Sequence, residues 1–207
     1  MTEQGAAGFS ILTVCTGNLA RSPLSAQLLA ARLRSLPAVA VSSAGTGARA
    51  GDSMTTQAAN LSLQYGGDPE NHRARYLAEL HVSDADLVLT ATRQHRAAVV
   101  TLVPRAARYA FTLRQFARLV DSLDLGEVVP ADVDGKPTEL DWLRALVATA
   151  AAHRGFLPPL ADPADDDIED PFLQSQAVYD RVGALIDHDV AVISDALLQL
   201  GRKAQNS

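Results

Sequence analysis

Residues 9–14, FSILTV, form a short apolar, β-branched run that passes directly into Cys15-Thr16-Gly17-Asn18, four small residues. A run of that length and content reads as a buried strand. Seven positions after Cys15, Ser22 precedes Pro23, a hydroxyl suited to an N-cap followed by a proline where its missing N–H costs nothing. Leu24, Leu28 and Ala31 then fall on one helical face. A buried strand, a tight loop and a helix in direct succession are the opening of a βαβ unit. They commit the chain to a parallel sheet whose two faces must be covered by helices.

The rest of the chain continues that pattern. Residues 39–43 read as a second strand ending at Gly45 and Gly47, and residues 54–63 as a weak helix broken by Gly66-Gly67. Residues 85–90 (ADLVLT) read as a third strand, residues 94–102 as a helix closed by Pro104, and residues 108–112 as a fourth strand. After Leu113 the alternation stops. Phe116, Leu119 and Val120 mark one short amphipathic helix. Thr138 and Asp141 have capping-box spacing for another, which runs through Trp142, Leu146 and Ala150 to Gly155. A Pro- and Asp-rich loop occupies residues 157–171, and Val178, Val182, Leu185, Ile186, Ile193 and Leu197 give the stripe of a last helix. The expected organisation is one domain over residues 1–207, with residues 113–167 as a helical and loop insertion within it.

Hydrophobic residues make up 47% of the 207, enough for a full core, and charged residues only 20%. Such a chain is not disordered. A formal charge of −6 argues against a nucleic-acid partner. No apolar run reaches the length of a membrane span, and the first ten residues lack the basic and apolar regions of a signal peptide. A single cysteine excludes an internal disulfide and a Cys-rich zinc site. The expectation is a cytoplasmic protein with neither metal nor cofactor.

The loop CTGNLARS, residues 15–22, carries the chemistry. A loop between a buried strand and a helix N-terminus presents backbone N–H groups to an anion, and the helix dipole adds partial positive charge. Gly17 is expected to allow close backbone approach. Arg21 offers a planar fork for two phosphate oxygens. Helix N-termini and neighbouring arginines also stabilise a thiolate, so Cys15 reads as a nucleophile at the floor of an anion site.

These residues, VCTGNLARSP, resemble the active-site loop of the low-molecular-weight protein tyrosine phosphatases. Ser43-Ala44-Gly45-Thr46, His72-Arg73-Ala74-Arg75, residues 85–90 and Asp170-Pro171-Phe172 follow in the family's order. The resemblance implies an α/β, flavodoxin-like three-layer sandwich with a four-stranded parallel sheet. It implies phosphate binding by Thr16, Gly17, Asn18, Leu19, Ala20, Arg21 and Ser22, catalysis by Cys15, Arg21 and Asp170, and support from Asn18, Ser22, Ser43 and His72. The implied substrate is a phosphorylated protein, with phosphotyrosine as the phosphoryl donor and phosphate or other oxyanions as ligands of the same site. The proton donor is the aspartate of an Asp-Pro pair. Asp162-Pro163 competes with Asp170-Pro171, which is preferred because an aromatic residue and the last helix follow it. Asp165, Asp166, Asp167 and Glu169 are expected to surround Asp170 with negative charge that favours its protonated form.

Some positions depart from the family. Ala20 stands where many relatives carry a second, protective cysteine. Leu19 is aliphatic, as in tyrosine phosphatases, whereas relatives that hydrolyse phosphoarginine have threonine there. Leu19, Arg49 and Phe172 are expected to form the substrate wall. Two other readings share these residues: an arsenate reductase that uses an external small thiol, and a module that binds phosphoproteins without turnover. Loss of Asp170 or Arg21 would have marked the latter, and both are present.

Overall fold

The computed structural model describes residues 8–131 and 135–206. Strand β1, Phe9–Cys15, lies between β2, Val39–Gly45, and β3, Leu87–Thr90, and β4, Ala110–Thr112, closes the far edge. The order is β2-β1-β3-β4 with every pairing parallel. The chain leaves β1 toward β2 on one side and returns to β3 on the other. The carboxyl end of β1 is therefore a topological switch point, where open α/β sheets hold their ligands.

Among the described residues seven α-helices flank the sheet: α1, Arg21–Arg32; α2, Thr56–Gln64; α3, Glu79–Ser83; α4, Arg93–Leu102; α5, Leu113–Ser122; α6, Glu139–Ala152; and α7, Gln176–Asn206. The pleat of β1 sorts its side chains between two cores. Phe9 and Ile11 enter the larger one, with Leu28 of α1, Phe116 of α5, Leu146 of α6 and Ile193 of α7. Leu12 and Val14 enter the smaller one, with Val82 of α3 and Val99 of α4. β3 repeats the division, with Leu87 and Leu89 facing the larger core and Val88 the smaller. Each such fully buried side chain contributes about 1.5–3 kcal/mol, so the sheet is held firmly from both faces.

Within the stretch 113–167, α5 and α6 supply Phe116, Leu119, Leu143 and Leu146 to the larger core. The capping box of α6 is formed as its spacing predicts: the Thr138 hydroxyl accepts the Asp141 N–H, and Asp141 Oδ2 accepts the Thr138 N–H at 2.8 Å. The five-residue α3 and the 3₁₀ turns at Pro104–Arg108 and Pro163–Asp166 have no counterpart in the sequence reading. A further difference concerns α1. It begins at Arg21, its N-cap is Ala20 with no side-chain bond, and Ser22 is already inside the first turn. The Ser22 hydroxyl is not the cap because Cys15 Sγ and Asn18 Nδ2 engage it instead.

Among the described residues no helix is long and apolar enough to cross a membrane.

Candidate active site

Residues 15–21 wrap around the carboxyl end of β1, and their carbonyls are tied outward one after another. Cys15 O accepts the Thr46 N–H, Thr16 O the Gly47 N–H and Leu19 O the Thr55 N–H, each at 2.9 Å. Ala20 O accepts the Leu24 N–H at 3.0 Å, and Asn18 O accepts from His72 Nε2 at 2.8 Å. A trans peptide points its N–H opposite to its C=O. Fixing these carbonyls outward therefore turns the N–H groups of Thr16, Gly17, Leu19, Ala20 and Arg21 toward the inside. The result is a concave set of donors at the N-terminus of α1, the arrangement that binds anions.

Asn18 holds this shape. Its φ of 56° lies in the left-handed region, which asparagine tolerates better than most residues. Its side chain is fully buried. Nδ2 donates to Ser22 Oγ and Ser43 Oγ, both at 2.9 Å, while Oδ1 accepts the Arg75 N–H at 3.1 Å. His72 donates to the Asn18 carbonyl, a bond that works to raise its pKa, but burial, together with Arg73 and Arg75, outweighs the bond and lowers it. Asn18, Ser22, Ser43 and His72 thus come together behind the loop, on the side away from the cleft. Arg75 completes the group through its N–H and through Nε, which donates to Ser43 O at 2.8 Å. The sequence reading did not single it out.

Within the chain, Gly45 makes the close approach between β2 and the loop. A Cβ at Gly45 would lie 2.4 Å from Thr16 O and 2.9 Å from Asn18 N, whereas one at Gly17 would touch only the Leu19 side chain at ordinary contact distance. The parallel register sets Gly45 directly beside Cys15, which explains the demand for a bare backbone there.

Inside the loop, Cys15 Sγ is 3.0 Å from Ser22 Oγ. Since Ser22 already accepts from Asn18 Nδ2, its hydrogen is available to the sulfur. Arg21 is 5% exposed. Its Nη1 donates to Ile168 O at 3.0 Å and its Nη2 to Asp170 Oδ2 at 2.6 Å, while Nε is buried with no partner among the described residues. A guanidinium held at two corners with its third donor unmet is ready for an anion.

A cleft of about 170 Å³ opens over the loop. Cys15, Thr16, Gly17, Leu19, Ala20 and Arg21 form its floor and sides, and Asp170 and Phe172 close it from the opposite segment. Asp162 is elsewhere, capping the short 3₁₀ turn Pro163–Asp166, so Asp170 is the aspartate that reaches the site. Beside Phe172, Leu173 adopts φ 61° and exposes its side chain at the rim. Arg49 is misplaced by the sequence reading. Its side chain is 88% exposed and pairs weakly with Asp52 at 3.8 Å, and it is not among the residues that line the cleft.

The acidic run before Asp170 also differs from expectation. Asp167 takes the Arg93 N–H at 2.7 Å and its guanidinium at 2.9 Å, Asp166 receives a two-pronged bond from Arg118 at 3.0 Å, and Glu169 pairs with Arg181 at 2.6 Å. Arg114 donates to Asp165 O, and the Ile168 N–H donates to Ala91 O. Burial works to raise the Asp167 pKa, but the bonds from Arg93 outweigh it and hold the carboxyl below its usual range. These carboxylates are spent on arginines, and the run is a set of clamps that fixes the loop bearing Asp170. Among the described residues no cluster of three His, Cys, Asp or Glu side chains could hold a metal ion.

His95 is a further residue beside the site that sequence reading passed over. Its ring lies between the hydroxyls of Thr16, at 2.9 Å from Nε2, and Thr92, at 2.7 Å from Nδ1.

Comparison with known proteins follows the same lines. The family model described as low molecular weight phosphotyrosine protein phosphatase matches residues 10–150, which leaves Asp170 beyond the match. A protein-arginine-phosphatase from Geobacillus stearothermophilus is 37% identical over 132 residues, covering 64% of this chain and 83% of the relative. The low molecular weight protein-tyrosine-phosphatase Wzb of Salmonella typhi is 37% identical over 94 residues, covering 45% of this chain and 61% of the relative. Among solved structures, the YwlE arginine phosphatase of Geobacillus stearothermophilus superposes with a TM-score of 0.63 at 27% identity, covering 92% of this chain and 94% of that one. Wzb of Vibrio vulnificus, in complex with benzylphosphonate, has a TM-score of 0.62 at 22% identity over 91% of this chain and 98% of that one, a likeness of fold.

Proposed function

This chain belongs to the low molecular weight phosphotyrosine protein phosphatase family, which makes it a cysteine-dependent phosphatase, and from that premise we propose that it hydrolyses phosphotyrosine in proteins through a phosphocysteine intermediate. The observation that carries the reading is the single cleft shared by the Cys15 thiol, the Arg21 guanidinium and the Asp170 carboxyl.

The ester's phosphoryl group binds in the ring of loop N–H groups, with two oxygens on Arg21 Nε and Nη2, displacing Asp170 from the latter. Cys15 Sγ attacks phosphorus. The S–P bond forms as the P–O bond to the leaving group breaks, and Asp170 gives its proton to the departing oxygen. In the second step the Asp170 carboxylate takes a proton from water as the water oxygen attacks phosphorus. The S–P bond breaks, returning the thiolate and inorganic phosphate. Ser22 donates to the sulfur whenever it carries charge, and the loop N–H groups with Arg21 offset the charge on the equatorial oxygens in both steps.

Leu19 and Phe172 supply apolar walls for an aromatic ring, and Leu19 has no hydroxyl to offer a guanidinium. This supports phosphotyrosine, although the arginine phosphatase relative shares the fold. A lone cysteine without an internal partner for a disulfide suits a reducing compartment, and we place the protein in the cytoplasm on that ground.

Matched peptides carrying phosphotyrosine or phosphoarginine test the assignment. The phosphotyrosine peptide is expected to release phosphate at least tenfold faster, Cys15→Ser to release none, and Asp170→Ala to retain substrate with little turnover. Faster release from phosphoarginine would reverse the substrate choice. Thiol-dependent arsenate reduction without ester hydrolysis would replace the reaction, and capture of phosphopeptide without any turnover would reduce the site to a binding module.

A further inference from the structure

His95 occupies the third position of α4 and is 6% exposed. Its surroundings connect both halves of the site. Its ring reaches Thr16 in the phosphate loop, and its neighbours Ala91 and Arg93 hold Ile168 and Asp167 of the acid loop. The proposed mechanism gives it no role.

The hydrogen inventory of the three groups decides what it does. Thr92 is the N-cap of α4, and its Oγ accepts the His95 N–H at 3.3 Å while lying 2.7 Å from Nδ1. If Nδ1 carried the proton, the Thr92 hydroxyl would accept twice and its own hydrogen would find no acceptor among the described residues. If Thr92 donates to Nδ1, His95 and Thr92 are both satisfied, and the one hydrogen left over belongs to Thr16, which is exposed on the cleft where an anion can accept it. The ring proton then sits on Nε2 and is donated to Thr16 Oγ at 2.9 Å. Thr16 accepts that bond, so its own hydrogen must go elsewhere. No other partner lies within reach among the described residues, and Thr16 lines the cleft.

We propose that His95 is a positioning residue that turns the Thr16 hydroxyl into an additional hydrogen-bond donor to the bound phosphoryl group. Burial and the nearby Arg21 charge lower its pKa to about 4, against the opposing pull of Asp170 and Asp167, so the ring keeps a single proton near neutral pH. The inference rests on the phosphatase reading of this cleft but is tested separately from it, since it needs phosphate binding and not turnover.

The test is calorimetric binding of inorganic phosphate to the whole chain and its Thr16→Val, Thr16→Ser, His95→Leu and His95→Gln variants, with unfolding midpoints measured in parallel. A hydrogen bond to a charged group is worth roughly tenfold or more in affinity. Thr16→Val and His95→Leu are each expected to weaken binding about tenfold, and the double variant no more than either alone. Thr16→Ser and His95→Gln, whose amide N–H can reach Thr16, are expected to restore most of it. The ¹⁵N spectrum should show an unprotonated Nδ1 on His95. Additive losses, unchanged affinity in Thr16→Val, or a protonated Nδ1 would overturn the proposal. A wild-type chain that binds phosphate yet hydrolyses no ester sinks the phosphatase reading and leaves this one standing.

Discussion

Ser22 shows how one hydroxyl is made to serve two neighbours. It accepts from Asn18 Nδ2 and so directs its own hydrogen toward Cys15 Sγ, with the Ala44 carbonyl at 3.3 Å as the alternative acceptor. Losing a hydrogen bond to a charged sulfur costs about 1.5–3 kcal/mol. Ser22→Ala is therefore expected to lower kcat about tenfold to a hundredfold with little change in KM, and single-turnover kinetics should find the loss in phosphoenzyme formation. An unchanged kcat would mean that the hydroxyl serves only the loop's shape. Gly45 makes the complementary case, where a missing side chain matters. A methyl group 2.4 Å from Thr16 O must push the loop away from β2. Overpacking of this kind costs about 1–3 kcal/mol. Gly45→Ala should lower the unfolding midpoint by a few degrees and weaken phosphate binding by more than that destabilisation explains. A chain with a normal phosphate affinity after this change would show that the loop keeps its shape without β2.

At the scale of elements, the acid loop contains only the short 3₁₀ turn Pro163–Asp166 and is positioned by arginines from three helices: Arg93 of α4, Arg114 and Arg118 of α5, and Arg181 of α7. Of the side-chain pairs between these arginines and the acid loop, Arg118–Asp166 is the most enclosed, with the carboxylate side chain 10% exposed. Replacing Asp166 and Asp167 together by Asn should cost about 1–3 kcal/mol of stability and reduce kcat several-fold. Phosphate affinity should fall less, because the phosphate loop keeps its own supports. Hydrogen exchange at Ile168, whose N–H bonds to Ala91 O, reports the loosening directly, and unchanged exchange would remove these arginines from the mechanism. The same contrast explains what sequence reading could reach. The strand–loop–helix unit, the capping box of α6 and the stripe of α7 depend on residues within a few positions of one another, so their spacing reveals them. His95 to Thr16 spans 79 positions, and Asn18 to Arg75 spans 57. Those contacts follow from how β1, β3 and the segment after β2 are brought together, which no local spacing encodes. The N-cap reading of Ser22 fails for a related reason, while its supporting role in the loop does not. Ser-Pro is a sound local sign of a helix start, but a buried asparagine and a thiol competed for the hydroxyl and won.

For the whole molecule, two buried titratable groups on different elements oppose each other in their effect on stability. Asp189 of α7 is raised to about 6 by burial and by Asp166, with Arg114, 3.9 Å away, and His188 acting in the other direction. A carboxyl whose folded pKa exceeds its unfolded value of about 3.9 holds its proton longer in the folded chain. Its contribution is therefore complete below pH 4 and disappears as the pH rises through about 6. His95 has the reverse sign. Its folded pKa of about 4 lies below the unfolded value of about 6.5, so its contribution is complete above that unfolded value and fades as the pH falls toward 4. Between pH 4 and 6 the two slopes run against each other, each on the order of 1–3 kcal/mol across its window. Removing one should expose the other. Asp189→Asn is expected to gain stability relative to wild type as the pH rises from 4 to 7, and His95→Gln to gain it as the pH falls from 7 to 4. Urea unfolding of the three proteins at half-unit steps measures both differences. If both variants followed the wild-type pH dependence in parallel, neither group would change its protonation on folding, and the balance would have to come from the exposed carboxylates.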